Sequence, residues 1–168
     1  NVDEADADID MAAEDVDNAN DPIEPVNRFI FEFNEIFYAI LLRPISLAYN
    51  YLPQPVREAV SNVLDNVNSP VVLANDVLQG EGERALQTTG RFLINSTAGL
   101  AGLFDVAELM GIPEHEEDFG QTLGVWGVGE GFYLVLPLLG PSSPRDAVGK
   151  LGVDPFLDPL GLWLINTN

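Results

Sequence analysis

The 168-residue chain contains no cysteine. That excludes a disulfide framework, a thiolate metal site and a cysteine nucleophile. It has one histidine, His115, so every imidazole-based general-base role falls on a single residue. Basic residues are scarce: seven against 27 acids, a formal net charge of −20. Such a surface is repelled by phosphate backbones, which disfavours nucleic acid, and it is not drawn electrostatically to anionic lipid. Long apolar runs are missing as well. The stretches 92–104 and 131–144 are uncharged, yet each is shorter than the roughly 20 residues a membrane-spanning helix needs. The first residues are acidic, not basic then apolar, so they do not read as a secretory signal.

What remains is apolar: 46% of the residues are hydrophobic despite the acidity. The charge is uneven. Ten acids and no base fall within residues 1–24. Residues 1–20 therefore read as an acidic, solvated, disordered leader, and 21–168 as one helical domain. Asp21-Pro22-Ile23-Glu24 is a helix-start signature. At about 100° per residue, Arg28, Glu32, Glu35, Ala39 and Arg43 fall on one narrow arc of the helix that follows. Phe29, Ile30, Phe31, Phe33, Ile36, Phe37, Tyr38, Ile40, Leu41 and Leu42 occupy most of the rest. A soluble core covers an apolar stripe of about 100° or a little more, and this one is about twice as wide. Part of it must touch acyl chains. Asn34 is stranded within that face and needs a hydrogen-bond partner, a polar lumen or a helix end.

Pro44 is expected to stop or kink this helix, and Pro53 to end its continuation. An ordinary amphipathic helix is expected from Pro55 to Val67, with Val56, Ala59, Val60, Val63, Leu64 and Val67 on one face. Pro70 is expected to open a separate helix closed by Gly80. Further helices are predicted over 83–96 and 104–110, a short extended run over 132–136, and a last short helix from Ser143. The fold class is all-α.

The chemical constellations are weak. Asp6, Asp8 and Asp10 mimic the start of a calcium loop, but Met11 stands where the loop glycine belongs. His115 among Glu114, Glu116, Glu117 and Asp118 reads as an exposed loop, not a metal site. Ser142 and Ser143 lack a nucleophile-elbow motif. Gly127-x-Gly129-x-Gly131 lacks the strand–helix setting of a dinucleotide fingerprint. Arg91 and Asn95 share a helix face and read as a capped helix end.

Several short motifs occur together in a fixed order. The segment Asp21-Pro22-Ile23-Glu24-Pro25-Val26-Asn27-Arg28-Phe29 is followed by Arg43-Pro44 and Leu52-Pro53-Gln54-Pro55-Val56-Arg57. Ser61-Asn62, Leu78-Gln79-Gly80, Arg91-Phe92 and Asn95, Gly99, Gly102 and Asp105 come next. Then come Glu117-Asp118-Phe119-Gly120-Gln121-Thr122-Leu123-Gly124, Trp126-Gly127-Val128-Gly129, Leu136-Pro137-Leu138-Leu139-Gly140-Pro141-Ser142 and Arg145-Asp146. In this arrangement the chain resembles the MlaA (VacJ) family of outer-membrane lipoproteins. The resemblance implies a helical, ring-like platform, partly embedded in one leaflet, with an amphipathic channel. It implies removal of misplaced phospholipid from the outer leaflet of the bacterial outer membrane, and its passage to a soluble periplasmic carrier, which maintains lipid asymmetry. It implies association with a trimeric porin, attachment to the inner leaflet of the outer membrane, no cofactor and no enzymatic step. The family's acylated N-terminal cysteine is not among these residues, and its C-terminal helical region lies past Asn168.

On this reading the channel wall mixes apolar and uncharged polar groups. Phe33, Asn34, Phe37, Trp126, Phe132 and Tyr133 are the candidates, and Gly120, Gly124, Gly127, Gly129 and Gly131 are expected to form a bending, gating loop. Two rival readings are a helical module that docks partner proteins without moving lipid, and a lipid hydrolase using Ser142 or Ser143 with His115.

Overall fold

A computed structural model of the protein describes residues 21–158. Helices joined by short turns dominate: α1 (Glu24–Phe37), α2 (Arg43–Asn50), α3 (Gln54–Gln79), α4 (Gly82–Thr97), α5 (Val106–Leu109), α6 (Phe119–Val125), α7 (Pro144–Val148) and α8 (Asp154–Leu157). The extended run after Phe132 becomes an addition to the helical class, a small antiparallel hairpin. Its strands are β1 (Leu134–Leu136) and β2 (Gly140–Ser142), with Leu134 opposite Ser142 and Leu136 opposite Gly140. The acidic leader and its aspartates, Asp6, Asp8 and Asp10, lie outside the described residues.

Of the helix prolines, Pro70 departs from expectation, while past Pro44 the chain continues as a helix that ends before Pro53, as expected. Pro44 does not stop its helix. One π-helical turn, Tyr38–Leu42, precedes it, and the N–H of Arg43 reaches the carbonyl of Tyr38. The turn widens by one residue just where Pro44 cannot supply an N–H, so the chain runs on to Asn50. Pro70 sits inside α3 and opens no new helix. The Ser69 hydroxyl donates to the carbonyl of Asp65 (3.2 Å), adding a bond beside the one that Pro70 removes.

The larger surprise is where polarity lies. The buried side chains among the described residues are mostly polar: Asn27, Asn34, Asn66, Asn75, Asp76, Thr88, Arg91, Asn95, Glu117, Thr122 and Ser143. Buried apolar residues are few: Val71, Val72, Ala107, Val135 and Leu136. In α1 only Asn27 and Asn34 are buried, while Phe29 (71%), Ile36 (60%) and, in the π turn, Ile40 (72%) stand exposed. The expectation of an ordinary amphipathic helix after Pro55 also fails, because Val56, Val60 and Leu64 of its apolar face are exposed. Ala59, Val63 and Val67 of the same face are partly buried, so the face is covered along only part of its width.

The polar interior is held by hydrogen bonds, as burial of amides and charges requires. Thr122 donates to Asn75 (2.7 Å), and the amide of Asn75 donates to the carbonyl of Val71 (3.0 Å). Thr88 donates to Asp76 (2.7 Å). Gln79 donates to both Glu117 (2.9 Å) and Thr122 (3.1 Å), and Arg84 pairs with Glu117. These bonds join α3, α4 and α6.

Candidate functional site

The first element of the site is the union of α1 with the hairpin. Asn27 and Asn34 are two helical turns apart and face the same way. The amide of Asn27 donates to the carbonyl of Tyr133 (2.9 Å), and its carbonyl accepts from the N–H of Val135 (2.8 Å). Asn34 repeats the pattern on Leu136 (2.9 Å) and Leu138 (2.8 Å). The two side chains act like a neighbouring strand for β1. Tyr38 adds a fifth bond, its hydroxyl donating to the carbonyl of Leu138 (2.6 Å). Asn34 thus finds its partner in backbone, and its amide does not face an open lumen. Asn27 and Tyr38 were not singled out by the sequence; the seven-residue repeat of asparagine along an otherwise apolar helix is the signal that points to them.

Around this seam the apolar side chains face outward. Phe33, Ile36, Phe37, Ile40 and Leu41 line an open depression of about 330 Å³, with Phe33 and Phe37 stacked at 6.3 Å. Tyr133 lies elsewhere, with Asp21, Asn27, Arg28, Phe31 and Val135 around a cavity of about 180 Å³. Trp126 is half-exposed, bonded through its indole N–H to the carbonyl of Leu78 (3.0 Å) and set edge-on to Phe119. Phe132 is partly buried immediately before β1. Phe33 and Phe37, Tyr133, and Trp126 therefore lie at three separate places, while Asn34 is buried in the seam and Phe132 is partly buried.

The glycine loop is shorter than expected. Gly120 and Gly124 lie in α6, started by Asp118, whose carboxylate accepts from the N–H of Gln121 (2.8 Å). Gly120 is there for close packing: a Cβ would stand 2.8 Å from Asp146 Oδ1. Gly127, Gly129 and Gly131 remain in the connection to β1, Gly127 and Gly131 with positive φ.

His115 is not the exposed loop residue it was read to be. Its Nε2 lies 2.9 Å from Asp76, whose side chain is fully buried. Both Thr88 and Asp76 approach that same nitrogen, so no nucleophile–base–acid relay is formed there. Ser143 Oγ accepts from the N–H of Asp146 (3.1 Å) and starts α7. Arg91 and Asn95 do more than cap a helix. Arg91 binds Asp105 (2.6 Å) and the carbonyl of Ile112, and Asn95 holds Asp105 and the N–H of Ala107 (2.9 Å). Burial pushes the Asp105 carboxyl up, but bonds from the Glu108 N–H, Asn95 and Arg91 together hold it below the usual range. Among the described residues no three histidine, aspartate or glutamate side chains are grouped to hold a metal ion.

Among the described residues, these features define a helical protein whose buried side chains are mostly amides and other polar groups, while many aliphatic and aromatic groups are exposed. Among the described residues no helix is long and apolar enough to cross a membrane. The MlaA lipoprotein family matches residues 19–168, and the chain belongs to it. The intermembrane phospholipid transport system lipoprotein MlaA of Escherichia coli (strain K12) is 36% identical over 157 residues, covering 89% of this chain and 61% of that protein. Its Haemophilus influenzae counterpart is 32% identical over 155 residues, covering 89% and 61%. A Rickettsia felis protein is 38% identical over 147 residues, covering 87% and 59%. The chain thus spans about six-tenths of the length of the curated relatives it matches. A solved chain, from work on the structural basis for maintenance of bacterial outer membrane lipid asymmetry, superposes with a TM-score of 0.69 at 32% identity. The match covers 86% of this chain and 79% of that one.

Proposed function

We propose that the chain takes part in phospholipid transport at the bacterial outer membrane, as its MlaA relatives are named for, and that it does so by passage without chemistry. In this reading it rests in the inner leaflet of the outer membrane, takes misplaced phospholipid from the outer leaflet and passes it through an amphipathic channel. A trimeric porin and a soluble periplasmic carrier are its partners, and no bond is made or broken.

The observation that carries the reading is the bare apolar face of α1 and the π turn. Phe29, Ile36 and Ile40 are largely exposed, and lipid burial of such surface is worth about 25 cal/mol per Å². The net charge of −20 opposes attraction to anionic lipid, so apolar area must supply the affinity. Phe33 and Phe37 serve as apolar wall, Trp126, Phe132 and Tyr133 as amphipathic groups at its margins, and Asn34 as the residue that fixes the hairpin to it. Bending falls to Gly127, Gly129 and Gly131, since Gly120 and Gly124 are helical.

The test is flotation on phosphatidylethanolamine–phosphatidylglycerol vesicles, with phospholipid co-purification measured by native mass spectrometry. Wild type floats and carries lipid. The variant Ile36→Glu/Ile40→Glu stays at the bottom of the gradient. If it floats like wild type, the apolar face is not the lipid contact. A folded wild-type chain that neither floats nor carries phospholipid supports the docking module instead.

A further inference from the structure

Between α3, α4 and the segment 114–118 lies an acid-lined cleft that the lipid reading leaves unused. It has a volume of about 180 Å³ and is bounded by Asp65, Arg91, Glu114, Glu116, Asp118 and Gln121 among others. A smaller void of about 20 Å³ is lined by the same Asp65, Arg91 and Glu114, together with Asn66 and Asp105. Four carboxylates, Asp65, Asp105, Glu114 and Glu116, interact here around a single guanidinium. Arg91 is committed to Asp105 at 2.6 Å and stands 3.5 Å from Glu114. Burial, with repulsion from the neighbouring acids, pushes the carboxyls of Asp65 and Glu114 above their ordinary range. This arrangement works against the fold's own stability, and local costs of that kind concentrate where a ligand supplies the missing charge.

A second observation is independent of the acids. Asn66 lines the inner void and is only 8% exposed. Its amide nitrogen binds Ser96 (3.0 Å), but its Oδ1 is shielded from solvent and has no hydrogen-bond partner among the described residues. A buried acceptor without a donor costs about 1–3 kcal/mol. The cleft thus holds more carboxylates than its one arginine neutralises, and the void beside it holds an acceptor without a donor.

The geometry selects among cations. The described carboxylates are not grouped for a bare metal ion. A lipid ammonium arrives with acyl chains, yet Val72 is the one apolar residue among those lining the cleft. A slender cation with several donors and a polar approach remains. We infer that this cleft docks a lysine or arginine side chain presented by a protein partner.

The experiment titrates the full chain with acetyl-trilysine-amide by calorimetry. It compares wild type with Asp65→Asn/Glu114→Gln, and with Glu32→Gln/Glu35→Gln, which removes the same charge from exposed positions of α1. The cleft pair should weaken binding about tenfold, and the α1 pair less than about twofold, because charges outside the cleft act on the peptide only through screened, long-range attraction. Carbodiimide coupling of the peptide should map to Glu114 or Glu116. Equal weakening by both pairs, or coupling scattered over many acids, overturns the proposal in favour of general charge attraction. Displacement of the peptide by calcium or by phosphatidylethanolamine micelles, lost in the cleft pair alone, overturns it in favour of a metal or lipid site. The exposed single variant Glu116→Gln gives the same reading should the double variant not fold.

Discussion

The side-chain carbonyl of Asn34 accepts the backbone N–H of Leu138 at 2.8 Å, across 104 positions of sequence. The same amide group donates to Leu136, so one side chain fixes both ends of the bend that leaves β1.

Asn34→Leu removes that clamp while adding apolar bulk to an apolar helix. It leaves a carbonyl and an N–H without partners, and a loss of about 2–4 kcal/mol is expected. Denaturant titration in detergent reads it. Lipid transport by the folded fraction should fall as well, if the hairpin's placement on α1 shapes the passage. Wild-type stability would show that the hairpin docks by other contacts.

Among the described residues Arg91 is the sole cation bonded to Asp105, and both side chains are largely buried. Arg91→Met leaves the carboxylate in place without its counter-charge. Breaking a buried pair from one side costs about 3–5 kcal/mol. The double variant Arg91→Met/Asp105→Asn should recover part of that loss in thermal unfolding.

Two glycines of one region should respond in opposite senses. Gly99 follows α4, and a Cβ there would stand 2.2 Å from the carbonyl oxygen of Phe104 and 2.5 Å from that of Asn95. Both are backbone atoms, so Gly99→Ala should destabilise by several kcal/mol, on the order of other overpacking changes or more. Gly90 lies within α4 with nothing within 4 Å of its Cβ direction. Gly90→Ala should stabilise by about 0.5–1 kcal/mol, mainly by restricting the unfolded chain.

The carboxyls of Asp65, Glu114 and Asp154 are each raised, with burial as the leading cause. A folded-state value above the unfolded one favours the protonated, folded form. That stabilisation is complete below the ordinary carboxyl range and lost as pH rises through the raised values. Asp65→Asn and Glu114→Gln should therefore melt higher than wild type at pH 7. The gap should close as pH falls toward the carboxyl range. Asp105 runs the other way: its contribution is present above the ordinary range and lost as pH falls through its lowered value. Melting curves across pH separate the two signs.

Much of this was legible in sequence, but as faces without their covers. Periodicity put Phe29, Ile36 and Ile40 on a surface too wide for a core, and they are exposed. The same reasoning misjudged Val56, Val60 and Leu64, because period identifies a shared face and not what lies against it. Asp118 and Ser143 start α6 and α7 through local bonds, the kind that a few consecutive residues reveal. Pro70 misled because α3 continues through it, held by packing on α4 beyond any local window. His115 misled for the same reason: Asp76 is 39 residues away, and only the folded chain brings it to 2.9 Å. Asn34 was recognised as needing a partner, but the partner is backbone 102 residues downstream.

The inverted interior alters what unfolding means for this molecule. Globular proteins gain about 12–15 cal/mol/K per residue in heat capacity when their oily centres meet water. Here the groups released on opening are largely amides, hydroxyls and carboxylates, whose hydration lowers that figure. Calorimetry should find an unusually shallow temperature dependence of the unfolding enthalpy. On the proposed reading, a hydrocarbon boundary supplies the missing apolar burial by taking up the phenylalanines and isoleucines that the fold leaves exposed.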